Sequence, residues 1–286
     1  LDDDVGCTSV DITDIGQTWS SPTVLKASGY FDVVSIAGVD TNVPKPMLIM
    51  GGGYDSCEDA DPNTCTSADK GNRIYVLDAN TGAVLRTFDT DRGVVGDVFV
   101  VTNRTTGLAQ WAYAADLGGN IYRISGVNAN TALASTAPGS WTITKIAALG
   151  CNNTATCTAN RKFMFAPDVV VEPAPNSGTH ILLIGSGDRE KPLRDYPSAY
   201  GVSNYFFMLK DVPTEYAEDL LMAAAPAFSA CRANCWAWRV ESAILTCSAL
   251  TSNSLKSSPI SSTPNSRSNC AERCCRMRSS QSLPPR

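Results

Sequence analysis

An acidic loop in the first quarter of the chain carries oxygen-bearing side chains at the spacing of a calcium-binding loop. Asp59, Asp61 and Asn63 occupy alternate positions, and Asp55 lies shortly before them. Calcium takes about six to eight oxygen ligands, and calcium loops begin with this one-three-five pattern. The spacing therefore predicts a calcium site at Asp55, Asp59, Asp61 and Asn63.

The same loop has a second interpretation that needs no metal. Thr64 stands where a calcium loop has its turn glycine, and Lys70 stands where it has a bidentate glutamate. Because Cys57 and Cys65 bracket the loop, it could be a solvated acidic segment closed by a disulfide. The sequence leaves both interpretations open.

Two short polar segments are bracketed by cysteines. This spacing predicts the disulfides Cys57–Cys65 and Cys151–Cys157 and an oxidising compartment, with free thiols as the alternative. A zinc site is not expected, because the eleven cysteines include no Cys-x-x-Cys pair and His180 is the one histidine.

His180 is the one candidate for a histidine base. A catalytic nucleophile needs a base within hydrogen-bond reach. His180 directly precedes the apolar run 181–184, which predicts a position in a loop or at a strand edge. The sequence therefore predicts a protein that is not an enzyme.

Composition excludes two classes of partner. The net charge is −5 and the sequence pI is about 4.9, which argues against a surface for nucleic-acid phosphates. No apolar run approaches the roughly 18–20 residues that cross a bilayer. With 286 residues, 43% of them hydrophobic, the chain can form one large all-β domain or two ordinary ones.

Short strands must position the candidate residues. Runs of β-branched and aromatic residues alternate with Gly, Asn, Asp and Pro breaks, the pattern of antiparallel strands joined by turns. The predicted strands lie at 47–50, 74–77, 84–88, 98–102, 111–115, 121–124, 181–184 and 205–209.

One pattern recurs three times, beginning near residues 21, 96 and 166. A strand, a variable loop, a second strand and a glycine turn with an aspartate precede a third strand that begins near an asparagine. This repeat is typical of β-propeller blades. The predicted fold is all-β, a partial β-propeller of about three four-stranded antiparallel blades over 1–216, and the chain is expected to begin inside a longer protein.

Residues 217–286 have a different composition. They hold eight basic against four acidic residues and six of the eleven cysteines, and no blade pattern recurs. We expect an unstructured or helical, low-complexity tail, with translation out of frame as one explanation and a genuine disordered or cysteine-linked extension as the other.

Several stretches resemble the C-terminal β-propeller of the PilC/PilY family of type IV pilus proteins. The resemblance runs from about residue 16 to 214 and is carried by 19–24 (Trp-Ser-Ser-Pro-Thr-Val), 51–55 (Gly-Gly-Gly-Tyr-Asp), 71–82, 113–124, 165–169 and 185–192. The family's calcium loop would fall on 102–110, where this sequence has no carboxylate.

The resemblance implies a non-enzymatic pilus assembly factor and tip adhesin that supports adhesion and twitching motility. Its implied partners are minor pilins, other pilus components and a host or surface receptor. Its implied location is the pilus tip or cell surface, reached by export through the periplasm.

A different function remains as the alternative. Some pyrroloquinoline-quinone dehydrogenases are also propellers, and they use calcium and a disulfide between adjacent cysteines. Cys274 and Cys275 are adjacent here, so a quinoprotein-like oxidoreductase is the alternative function.

Overall fold

The computed structural model describes residues 14–66, 69–150, 160–173 and 178–215, together with the backbone of two later strands. The described residues are mostly β-structure with very little helix. The strands are β1 Thr23–Leu25, β2 Phe31–Ile36, β3 Val39–Pro44, β4 Met47–Gly51, β5 Arg73–Asp78, β6 Val84–Asp89, β7 Phe99–Thr102, β8 Ala109–Ala115, β9 Asn120–Ser125, β10 Thr142–Ala148, β11 Asp168–Val171, β12 His180–Gly185, β13 Tyr205–Asp211, β14 Trp236–Glu241 and β15 Ile244–Ser248.

Helical structure in the described residues is limited to single turns. The α-helical turn α1 spans Pro197–Tyr200. The 3-10 turns span Ser56–Asp59, Leu133–Ser135, Pro138–Ser140 and Pro213–Glu215. No helix of the described residues is long and apolar enough to cross a membrane.

The strands form three successive antiparallel meanders. The first sheet has the order β1-β4-β5-β6, the second β7-β8-β9-β10 and the third β11-β12-β13-β14-β15. The strands predicted at 47–50, 111–115 and 181–184 are the second strands of three different sheets, which confirms three separate units. The hairpin β2–β3 pairs with none of these sheets.

The second sheet is packed on both faces. On β8, Ala112 and Ala114 belong to the apolar core shared with the first sheet, whereas Trp111 and Tyr113 belong to the core shared with the third. Successive strand residues point to opposite faces. One strand therefore contributes to both cores, and the three sheets stack in chain order.

The first strands of neighbouring sheets lie beside one another: β1 contacts β7, and β7 contacts β11. The hydroxyl of Thr23 donates to the carbonyl of Val98 at 3.0 Å, which connects the starts of the first two sheets. Radially repeated sheets have this arrangement. The all-β class is confirmed; closure into a propeller stays a prediction, because the described sheets do not form a ring.

Two parts of the chain depart from the expectation. The variable loop expected between the first and second strands of the first unit contains a hairpin, β2–β3. The third sheet has five strands, because β14 and β15 fall where an unstructured or helical tail was predicted. In β14 the sequence Trp-Ala-Trp-Arg-Val alternates bulky residues with strand preference, a signal that the composition of the tail obscured.

Close backbone approach explains the glycines of the first motif. Gly53 and Gly71 both have positive φ, 105° and 82°. A Cβ on Gly71 would lie 2.1 Å from the carbonyl oxygen of Gly53. Gly82 also has positive φ, 72°, but nothing lies within 4 Å of its Cβ position.

Gly71 and Gly82 give a matched pair of substitutions. Gly82→Ala should cost about 1–2 kcal/mol for the left-handed backbone alone. Gly71→Ala should cost about 1–3 kcal/mol more, because the methyl group must displace backbone. Urea unfolding of the two variants measures the difference, and equal losses would contradict the close approach.

Candidate functional site

The aspartates of the repeated motif follow the second strand of each sheet: Asp55 after β4, Asp116 after β8 and Asp188 after β12. Backbone hydrogen bonds connect the turns. The amide of Leu117 donates to the carbonyl of Gly93 at 3.0 Å, and the turn after β12 is joined in the same way to residue 162. The amide of Gly53, in the turn after β4, likewise donates to the carbonyl of Val94 at 2.9 Å. The three turns therefore meet the connecting segments at one end of the second strands.

Asp116 organises its turn from a fully buried position. One carboxylate oxygen accepts from the amides of Gly118 and Asn120, each at 2.9 Å, and the other accepts from the Tyr122 hydroxyl at 2.9 Å. Burial raises the pKa of Asp116 to about 6, while the donors oppose that rise. The role of this side chain is to hold the turn.

Two of the four residues predicted to bind calcium hold the loop itself. Asp55 accepts from the amide of Cys57 at 2.8 Å and from the amide of Lys70 at 2.9 Å. Asp59 accepts from the hydroxyl of Tyr54 at 2.8 Å. These bonds point the two carboxylates at different neighbours.

The other two predicted ligands are also used within the protein. Asp61 accepts from the amides of Ser198 and Ala199, at 2.9 and 3.0 Å, and so caps the helical turn α1. Asn63 donates to Glu58 at 3.2 Å. The loop after β4 is thereby attached to the loop after β12.

A buried ion cluster lies under this loop. Glu58 is 2% exposed, pairs with Arg92, and lies 2.9 Å from the Lys162 ammonium. Lys162 is also 2.9 Å from Asp188. Lys191 donates to the backbone carbonyls of Glu58 and, at 2.6 Å, of Ala60. Three cationic side chains of the chain itself therefore face the acidic loop.

The pKa values of the two lysines beside Glu58 shift in opposite directions. Burial works against the charge of Lys162, but Glu58 and Asp188 outweigh it and raise the pKa of Lys162 above its ordinary value. Burial, followed by the nearby charge of Lys162, lowers the pKa of Lys191. We refer to Glu58, Arg92, Lys162, Asp188 and Lys191 as the Glu58 cluster.

The disulfide Cys57–Cys65 is present and closes the acidic loop. In the described residues, the one group of three side chains close enough to share a metal ion consists of these two cysteines and Glu58. The sulfurs are bonded to each other and the Glu58 carboxylate is paired with cations, so this group does not fit a metal. Cys151 and Cys157 lie outside the described residues, and their disulfide stays a prediction.

Asp55, Asp59 and Asp61 do not form a compact carboxylate group in this arrangement. Within the described ranges, Asp55, Asp59 and Asp61 belong to no group of three Asp, Glu, His or Cys side chains whose ligand atoms lie within 4.8 Å of one another. Calcium requires several such oxygens around one point. The calcium site stays a prediction.

A second buried polar group was not predicted from the sequence. His180 begins β12 and is 4% exposed. The Tyr113 hydroxyl donates to Asp211 at 2.7 Å and lies 2.6 Å from Nδ1 of His180. A hydroxyl has one proton, so Nδ1–H of His180 donates to the Tyr113 oxygen. Arg123 pairs with Asp211 and completes the group between the second and third sheets.

Burial keeps the histidine of this group neutral. Desolvation lowers the pKa of His180, Asp211 opposes that shift, and Arg123 adds to it. Burial, followed by the charge of Asp211, raises the pKa of the Tyr113 hydroxyl. No pattern in the sequence indicates this group. His180 and Asp211 come together because they are opposite each other in the register of β12 and β13.

Comparison with solved structures finds a similarity to the crystal structure of the Pseudomonas aeruginosa PilY1 C-terminal domain. The TM-score is 0.46, the sequence identity is 21%, and the match covers 71% of this chain. The chain spans about two fifths of that structure, 39% of its length. No family model and no curated protein matches the sequence.

Metal dependence tests the acidic loop directly. Since the protein's own cations face the loop, we expect the melting temperature in excess calcium to equal that in chelator. Differential scanning fluorimetry measures it, with magnesium as the control for ionic strength. A rise specific to calcium, abolished by Asp59→Asn and Asp61→Asn together, would contradict this expectation and support the calcium site.

Removing the charge of Glu58 tests how much the buried Glu58 cluster depends on it. Glu58→Gln should cost about 3–5 kcal/mol, because Arg92 and Lys162 lose a buried ionic partner. The matched control is Asp89→Asn, whose partner Arg73 is 3.3 Å away and whose side chain is 88% exposed. Exposed pairs contribute about 0–1 kcal/mol. Similar unfolding free energies for the two variants would contradict the cluster.

Proposed function

We propose that the chain is a non-enzymatic surface interaction module that acts in type IV pilus assembly, adhesion and twitching motility. One observation carries the proposal. The stretches that resemble the PilC/PilY family fall at the ends of the second strands of three successive sheets: 51–55 begins at the last residue of β4, 113–124 runs from the end of β8 into β9, and 185–192 begins at the last residue of β12. Similar stretches that recur at equivalent positions of the sheets are stronger support than similar residues alone.

The contacts of the buried charged groups support a non-catalytic role. In the described residues, Glu58 is paired with Arg92 and Lys162, and its partners lie in the segments that connect the sheets. His180 is engaged with Tyr113 between two sheets. These side chains hold loops and sheets together, as expected of a scaffold that presents a surface.

Partners and location follow from the same proposal. Minor pilins and other pilus components would bind the module, a host or surface receptor would bind it at the pilus tip or cell surface, and export would pass through the periplasm. The Cys57–Cys65 disulfide is consistent with that oxidising route. The quinoprotein alternative depends on Cys274 and Cys275, outside the described residues, and no described contact favours it.

Deletion of the coding region tests the function. An in-frame deletion of the codons for residues 14–215 in the source bacterium should abolish or strongly reduce surface pili, twitching and attachment, counted by electron microscopy and stab-agar zones. The intact gene supplied in trans should restore all three. Normal pili, twitching and attachment in the deletion strain would refute the proposal.

A further inference from the structure

The hairpin β2–β3 stands apart from the three sheets. It is inserted between β1 and β4 of the first sheet, yet β2 and β3 pair only with each other among the described strands. Ala37 and Gly38 form its two-residue turn with φ of 54° and 81°. Two positive φ angles define the turn type that suits a tight hairpin, so the turn is specified locally.

The base of the hairpin is fixed to the first sheet. The Tyr30 hydroxyl donates to Asp78, and the Lys45 ammonium lies 3.2 Å from the same carboxylate. The amide of Lys45 donates to the carbonyl of Tyr30 at 3.0 Å. Both strands are thus held where they leave the sheet, and the hairpin is presented in a defined direction.

The register divides the hairpin into two faces. Val34 is opposite Thr41, and Ile36 is opposite Val39, so these side chains share a face with Val43. We call Val34, Ile36, Val39, Thr41 and Val43 the aliphatic face; Asp32, which is opposite Val43, lies on the same side at the base of the hairpin. The other face carries Phe31, Val33, Ser35, Asp40, Asn42 and Pro44.

The aliphatic face is open to solvent. Val39 is 65% exposed, Ile36 54% and Val34 43%. Six of the large apolar side chains that are exposed in the described residues lie on this hairpin: Val34, Ile36, Val39 and Val43 on the aliphatic face, and Phe31 and Val33 on the other. Isolated hairpins are marginally stable, and contiguous exposed apolar surface marks binding sites.

The charges indicate what covers it. From Phe31 to Pro44 the charged residues are Asp32 and Asp40, both acidic. Asp32 already has Lys45 at 3.6 Å, whereas Asp40 is exposed on the face opposite the aliphatic one. A strand added along β3 would therefore meet aliphatic side chains on one face and an anion on the other.

We propose that β3 accepts an extended segment of a partner protein as an added β-strand, with aliphatic residues alternating with lysine or arginine. The inference rests on the proposed function only in treating the chain as an interaction module. Backbone hydrogen bonds would join the segment to the free edge of β3, and the alternation would set its register. A second copy fits less well, because its β3 brings another Asp40 and no cation.

Peptide binding to the purified full chain tests this docking. The probes are two fluorescent peptides of about ten residues, one alternating valine with lysine and one alternating valine with glutamate. Fluorescence anisotropy should show preferential binding of the lysine peptide. Val39→Thr with Val43→Thr should weaken that binding about ten-fold, because threonine keeps the shape and strand preference but removes apolar surface.

Two further variants make the test decisive. Val84→Thr with Val170→Thr changes exposed valines elsewhere, 42% and 52% exposed, and should leave binding unchanged. Asp40→Lys should reverse the preference toward the glutamate peptide. Equal binding of both peptides, or a lysine preference that survives Asp40→Lys, would overturn the proposal. So would self-association that the Val39→Thr and Val43→Thr variant abolishes, which would assign the edge to a second copy.

The docking and the proposed function fail separately. A deletion strain that keeps normal pili would refute the pilus function while peptide binding by the purified chain still supported the docking. If the deletion strain lacks pili but the hairpin variants bind the peptides as the unchanged chain does, the docking is refuted and the pilus function still stands.

Discussion

The structure depends on one packing constraint: the second sheet must bury both of its faces. A strand alternates its side chains between faces, so the buried run 111–115 of β8 has to be apolar at successive residues rather than at every second one. The two faces of β8 differ in the size of their side chains. Trp111 and Tyr113 fill the interface with the third sheet, while the small Ala112 and Ala114 let the first sheet approach closely. The order of the sheets follows from this division.

The Glu58 cluster adds specificity to that packing. Arg92 lies in the segment that joins the first and second sheets, and Lys162 lies in the one that joins the second and third. Both reach the same carboxylate. Desolvating these charges offsets much of their attraction, so the gain is less in net stability than in fixing how the connecting segments and turns meet. The apolar cores decide which faces pack, and the cluster fixes their alignment at one end.

Local patterns predicted the strands and turns because β-branched runs and glycine turns act over a few residues. Contacts between distant segments could not be predicted. The calcium-like spacing at 59–63 is a local pattern, and it contains no sign that Lys191, far along the chain, donates to carbonyls of the same loop. His180 had no visible partner in the sequence, because Tyr113 becomes its neighbour only when two sheets pack. The hairpin β2–β3 was not predicted because its turn has alanine at residue 37, a position where asparagine or glycine is more common.

The two ends of β4 therefore have different physical characters. Beyond Gly51 the chain enters the loop that the disulfide, the Glu58 cluster and the cap on α1 hold in place. Before Met47 it comes from a hairpin whose base is anchored by Asp78 and whose aliphatic face has no cover within the described residues. Adding a strand to the hairpin edge would satisfy open backbone and bury apolar surface without disturbing a hydrogen bond elsewhere. A binding partner at the opposite end would have to compete with bonds already made, so the hairpin end is where association costs least.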